Sequence, residues 1–433
     1  MSILIKNGLI ITQNAKHEIL KGDVYIEDDT ITQLSEKPLR VEADYKIKAE
    51  GGWVLPGLIN THTHIPMTLL RGYADDMPLK RWLEECIWPV EAKLKPDHIK
   101  AGTRLGLLEM ISSGTTSYLD MYFYEDIIGE VTMHAGVRGF LGFPLIDFDT
   151  PEYRKDYMIK GCESFIKKWR SNSIITPLVA PHSAYTCSPE TLREAFELSE
   201  RYDTLLHTHC SETREEVYDV EQRYGARPVE HLKKHGLLSH RMILAHCGWI
   251  TKNEILDMKL GFVSVSHCPV SNMKIATGGY APLPELLEAD VPVGLGTDGA
   301  ASNNTLDMFE TMKFCALMHK HHRWDPTILP AQMVLDLATR DGARCLRMED
   351  KLGSLEEGKK ADVIIIDSRN ARFTPLHDPV SHIVYAARGS DVSHVIVNGK
   401  PLMMDYEFLT MDHDKIIADA ERYAKDLVGS NTD

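Results

Sequence analysis

Two histidines one residue apart, His62 and His64, close the apolar stretch LPGLINTHTHIPM at 55–67. Strand side chains alternate faces, so Leu58, Asn60, His62 and His64 all point one way. Two imidazoles on one face at a strand end are either satisfied polar residues or a pair of ligands for a borderline metal. The rest of the chain favours the second reading. Further apolar runs end in His182, His209, His246 and Asp298. Four strand ends that each present an imidazole, and a fifth that presents a carboxylate, point to a metal site.

Such residues work together only if their strands share one mouth. Eight short apolar runs can be read: VLPGLINTHTH, GTTSYLDMY, VRGFLGFPLI, IITPLVAPH, TLLHTHC, MILAHC, FVSVSHCP and VPVGLGTD. Longer amphipathic stretches, such as 98–112, 189–202 and 305–322, alternate with them. Alternating strands and helices imply parallel βαβ units, and eight units over roughly 300 residues predict a (β/α)8 TIM barrel. In that fold the active site lies at the C-terminal ends of the strands, where these residues fall. An open doubly wound sheet is disfavoured, because no G-x-G-x-x-G turn follows an early strand.

Both chain ends read as short strands. ILIKNGLIIT carries a hairpin signal at Asn7-Gly8, DVYIEDDTITQL repeats strand–turn–strand, and ADVIIID and HVIVNGK lie near the other end. The expected organisation is therefore a small β-sandwich domain built from both ends (1–55 and 356–433), flanking a barrel over 56–355. The segment 412–428 has helical spacing. HKHH at 319–322 fans around a helix and is expected to face solvent. His267 in SHCPVSN has no role that follows from the sequence, and Cys210 and Cys247 should turn away from the metal.

The 433 residues are 43% hydrophobic, enough for a large core. A formal charge of −15 argues against nucleic acid or an anionic membrane as partner. The eight cysteines are scattered with no C-x-x-C pair, which indicates neither a zinc ribbon nor a disulfide framework. Neither a signal peptide nor a membrane span is read. A cytoplasmic protein, assembled as a homo-oligomer, is expected.

H-T-H … H-C-S-E … A-H-C … T-D-G resembles the amidohydrolase superfamily in its deaminase branch. The stretches NTHTHIPMTLLRGYADDMPLKRWL, APHSAYTCS, HTHCSET and LGTDGAASNN are similar to 5-methylthioadenosine/S-adenosylhomocysteine deaminases, over essentially the whole chain. Guanine deaminases and triazine chlorohydrolases share part of these motifs. The resemblance implies one metal per chain, zinc with iron or manganese as alternatives, on His62, His64, His209 and Asp298. Binuclear members carry a bridging lysine at the fourth strand's end. VAPHSAY has none.

On this resemblance Glu212, three residues beyond His209, shuttles protons between water and substrate. His246 orients the attacking hydroxide or polarises the tetrahedral intermediate, and Asp298 accepts a water proton as well as ligating. The reaction implied is hydrolysis of the C6 amine of a small-molecule adenosine derivative. Glu91 matches the residue that binds the ribose hydroxyls, and a carboxylate can accept from both. His182, Trp82 and Ser302 match pocket positions. Arg154 aligns loosely with an arginine that reaches a distal carboxylate, whereas Phe143 stands near where another arginine is often found. A non-catalytic barrel would lack a ligand or the shuttling glutamate, and all five residues are present.

Overall fold

The computed structural model describes residues 1–429. All eight apolar runs form strands: Leu58–Thr63, Thr115–Met121, Arg138–Leu145, Ile175–Pro181, Leu206–Cys210, Met242–His246, Ser264–His267 and Val293–Leu295. They pair in parallel, in chain order, as one eight-stranded sheet. Nearly every residue in them is buried, as expected for strands covered on both faces. The eighth strand is stitched to the first by Asp298 N–H donating to the His62 carbonyl at 2.9 Å and by Asn60 Nδ2 donating to Thr297 Oγ1 at 2.7 Å. Gly294 permits this close approach, since a Cβ there would lie 2.5 Å from the Thr61 side chain.

The helices form where caps and apolar spacing agree. In Pro189–Tyr202 the Ser188 hydroxyl accepts from the Thr191 N–H, Pro189 occupies the first turn, and Asp203 in a left-handed conformation ends it. Leu192, Ala195 and Leu198 form its buried stripe. The helices anticipated over 98–112 and 305–322 run over Pro96–Ser112 and Met308–Arg323.

Strands from both chain ends join in one nine-stranded mixed sheet. A separate apolar cluster that includes Ile3, Ile26, Val54, Val363 and Ile396 draws on strands from both chain ends and forms the core of this sheet. Asn7-Gly8 is not a hairpin. Ser2–Ile11 is a single strand with a register shift between Ile5 and Gly8, and Asn7 takes φ 57°. A pair that tolerates positive φ serves a bulge as well as a turn. The hairpin read in DVYIEDDTITQL forms between Ile19–Glu27 and Thr30–Ser35. A buried bidentate pair, Arg138 with Asp362 at 3.0 Å, ties the third barrel strand to the small sheet. The last helix, His413–Val428, lays Ala420 against Leu69 and Ala101. Among the described residues no helix is long and apolar enough to cross a membrane.

Candidate active site

Six of the anticipated residues meet at the C-terminal mouth. His64, His182, His209, Glu212, His246 and Asp298 line one cleft of about 930 Å³, counted out to its open side. His62 lies beneath them, fully buried. His62 Nε2 is 3.4 Å from Asp298 Oδ1, His64 Nε2 is 3.3 Å from the same oxygen, and the Nε2 atoms of His209 and His64 are 3.4 Å apart. Donor atoms bound tetrahedrally at ordinary zinc distances stand about 3.3 Å apart. His62 Nε2 is moreover a buried nitrogen with no protein partner. The donor set therefore fits one divalent ion.

Each imidazole is oriented from behind. His64 Nδ1 donates to the Met121 carbonyl at 2.6 Å and His209 Nδ1 to the His182 carbonyl at 2.8 Å. His62 Nδ1 meets His207 Nε2 at 2.8 Å, and His207 Nδ1 donates to the Ile243 carbonyl at 3.1 Å. That relay makes His207 the acceptor and leaves the Nε2 lone pair of His62 facing the site. His246 Nδ1 donates to Asn272 Oδ1 at 2.9 Å. Asp298 Oδ2 accepts from Ser271 at 2.6 Å and Ser302 at 2.9 Å, so Oδ1 is left for the centre. His246 and Asp298 take φ 70° and 61°, strained values by which the chain leaves each strand.

Glu212 stands beside this cluster, its Oε2 3.8 Å from His246 Nε2, beyond hydrogen-bonding distance. Burial raises its carboxyl above the usual range, which suits a group that must both take and give a proton. Glu216 accepts the Ser211 and Glu212 backbone N–H groups at 2.8 and 2.7 Å and so holds the loop that carries Glu212. Burial pushes His182 down to about 3, so it is neutral in the cleft.

The far wall carries Glu91 and Trp82, both in the cleft. Burial raises Glu91 to about 7, although the Tyr122 hydroxyl donates to it at 2.6 Å. Trp82 opens a π-helical turn, Trp82–Ile87, that runs into Trp88–Glu91. Leu79, Leu83, Trp88, Ile146 and Phe148 make the wall apolar.

Two expectations fail here. Arg154 is exposed ahead of a short 3₁₀ turn and does not line the cleft. Phe143 points outward and packs on Tyr153 and Phe165, because alternation along its strand gives the inward place to Pro144. HKHH also divides: His321 and His322 are exposed, but His319 is buried with its Nε2 3.1 Å from that of His267. Cys315 completes a second close group with them. His207, Glu216, Asn272, Ser271 and Tyr122 were not anticipated. H-T-H at 207–209 repeats the spacing of 62–64 and signals the first. The T-x-x-E of Thr213 to Glu216 has the spacing of a capping box and signals the second, although only Thr213 caps the helix and Glu216 reaches back past it to Ser211 and Glu212.

The Amidohydrolase family model matches residues 53–402. The chain is 44% identical to a 5-methylthioadenosine/S-adenosylhomocysteine deaminase of Thermococcus onnurineus, over 94% of this chain and 95% of that one. It is 43% identical to a 5′-deoxyadenosine deaminase of Methanosarcina acetivorans, over 98% of each. Its fold is similar to that of a zinc-bound adenosine deaminase from Xanthomonas campestris, with a TM-score of 0.95, 35% identity and 98% of each chain covered. It is also similar to an atrazine chlorohydrolase from Arthrobacter aurescens complexed with zinc, with a TM-score of 0.92, 26% identity, and 98% of this chain and 100% of that one covered. With a histidine- and aspartate-lined barrel mouth, and the family model matched across the whole barrel and into the small sheet at both ends, the chain belongs to the amidohydrolase family.

Proposed function

We propose that the protein hydrolytically deaminates adenosine and its 5′-modified derivatives, among them 5′-deoxyadenosine, 5′-methylthioadenosine and S-adenosylhomocysteine, giving the inosine analogue and ammonia. One observation carries this reading. A single cleft holds the oriented histidine–aspartate cluster, Glu212 beside it, and a second buried carboxylate, Glu91, on the opposite wall. A ribose diol offers two O–H donors to Glu91, whereas a free base or a triazine offers none. The relatives, a 5-methylthioadenosine/S-adenosylhomocysteine deaminase and a 5′-deoxyadenosine deaminase, support it.

His62, His64, His209 and Asp298 would hold one zinc ion, with iron or manganese as alternatives for the same donors. Bound there, the ion acts as a Lewis acid that brings the pKa of water to roughly 7. Glu212 removes a proton from the attacking water and delivers it to N1 of the ring, so that C6 becomes electrophilic. His246, anchored on Asn272 with Nε2 facing inward, stabilises charge that grows on the attacking oxygen. Asp298 takes the second water proton and passes it to the amine, which leaves as ammonia, while the first proton stays on N1. His182 as a neutral imidazole meets the ring edge, Trp82 covers the nucleoside, and Ser302 fixes Asp298.

Apolar side chains at Ile146 and Phe148 favour a deoxy or methylthio 5′ group over an amino-acid tail. The reading places the reaction in the reducing cytoplasm, in keeping with eight unpaired cysteines. A homo-oligomer is the proposed assembly, in keeping with the exposure of Leu260, Phe262 and Trp324. The division into 1–55 plus 356–433 and 56–355 is proposed for the domains.

A second reading keeps the site and changes the heterocycle, to guanine or a chlorotriazine, and the fold shared with the atrazine chlorohydrolase supports it. The test is kcat/KM for adenosine, 5′-deoxyadenosine, 5′-methylthioadenosine, S-adenosylhomocysteine and free adenine, followed by the fall in purine absorbance. The ribosides should lead adenine by at least about tenfold, which corresponds to 1.36 kcal/mol in the transition state. Equal rates on adenine would move the second reading ahead.

A further inference from the structure

Three consecutive residues at the end of the second barrel strand reach three different parts of the site. Asp120 Oδ1 accepts from the backbone N–H of Ile65, the residue after His64, at 2.6 Å. The Met121 carbonyl accepts from His64 Nδ1 at 2.6 Å. The Tyr122 hydroxyl donates to Glu91 Oε1 at 2.6 Å. Tyr122 is itself held by its backbone N–H, which donates to the buried carboxylate of Glu125 at 2.9 Å. One strand end thus joins the histidine cluster to the far wall.

Glu91 needs such a tie. It lies in the short helix Trp88–Glu91, behind a π-helical turn, and not on a barrel strand. Three side-chain torsions separate its carboxylate from that backbone. An O–H···O⁻ bond of 2.5–2.7 Å is the short, charge-assisted kind, and 2.6 Å falls within it.

We propose that Tyr122 is a positioning residue for nucleoside selectivity: its hydroxyl fixes one oxygen of Glu91 so that the carboxylate meets the ribose diol at a set distance from the reacting carbon. The inference rests on the reading of Glu91 given above. Glu91 then discriminates by geometry as well as by charge. Loosening it costs substrates that have the diol and spares those that lack it.

The experiment measures kcat/KM for adenosine and 2′,3′-dideoxyadenosine on the zinc-loaded wild type, Tyr122→Phe, Glu91→Ala and the double variant. Tyr122→Phe should lower the adenosine-to-dideoxyadenosine ratio by about tenfold, the factor of 1.36 kcal/mol, chiefly through KM for adenosine. Placed on Glu91→Ala it should lower the ratio no further, as expected of two residues acting through one interaction. The dideoxy substrate is the internal control, because a damaged wall or lost metal slows both substrates alike. An unchanged ratio in Tyr122→Phe, or effects that multiply in the double variant, overturns the inference and leaves the Glu91 reading standing. An unchanged ratio in Glu91→Ala overturns that reading, and the inference with it.

Discussion

Two buried groups of histidines lie in the same barrel. At the mouth, His64 and His209 bring Nε2 atoms to 3.4 Å. Beyond the seventh strand, His267 and His319 bring theirs to 3.1 Å, with Cys315 near. Residue type, burial and spacing are almost alike. What lies behind the rings is not. Every mouth histidine has its Nδ1 engaged, by Met121, His182, His207, Asn272 or Thr186. The Nδ1 atoms of His267 and His319 have no partner among the described residues, and the two rings bond to each other. Burial also lowers His319 to about 4 and raises the Cys315 thiol, so that group carries no charge at neutral pH. Proximity of donors does not by itself make a metal site. A fixed tautomer and a resident negative charge, here Asp298, complete one.

The sharpest way to break this comparison is metal content. Elemental analysis should find one ion per chain, and His209→Ala should abolish both metal and turnover while the fold persists. Cys315→Ala should leave one ion per chain and the rate unchanged. Two ions in wild type, falling to one in Cys315→Ala, would mean that the second group binds as well.

Glu212→Gln should keep the ion and lose about 10²–10⁴-fold in kcat, the range for a proton-transferring group. More than half the normal rate would place proton transfer elsewhere. His207→Phe tests the relay behind His62. Losing such a partner weakens metal affinity by roughly 10–100-fold, which a competition titration with a chelator would read. Unaltered affinity would make His207 mere packing.

The smallest effect is a pH dependence. Burial raises Glu91 to about 7. Below that pH it is protonated and becomes a donor where the diol needs an acceptor. The adenosine-to-dideoxyadenosine ratio of kcat/KM should therefore fall as pH drops through about 7 and level off above it. Taking the ratio cancels groups that act on both substrates. A flat ratio would show that Glu91 keeps its charge throughout.

Much of this was legible in the sequence, for identifiable reasons. Parallel strands buried on both faces must be continuous apolar runs, so all eight stood out, and polar residues at their ends had to be functional or costly. The residues that stayed hidden act across strands. His207, Asn272 and Tyr122 matter because of what lies on the next strand or loop, and no local pattern records that. Phe143 was misplaced by one residue, enough to turn a side chain from the cleft to the helices. His319 was misread because helical spacing gives directions around a helix without saying which one faces the core. Arg154 lies in a loop, where periodicity offers no register at all.

The small sheet has a consequence for synthesis on the ribosome. Gly52–Pro56 pairs with Ser2–Ile11 on one side and with Val363–Asp367 on the other. Roughly 300 residues separate the last two partners, and at about 5–20 residues per second their emergence is about 15–60 s apart. For that interval the early strands present an open apolar edge of the kind that pairs with whatever strand it meets. The whole barrel must be made before the edge is closed by its own partner. Slow translation should thus favour aggregation through the amino-terminal strands, and a chaperone that covers that edge would raise the yield of this chain more than its stability would suggest.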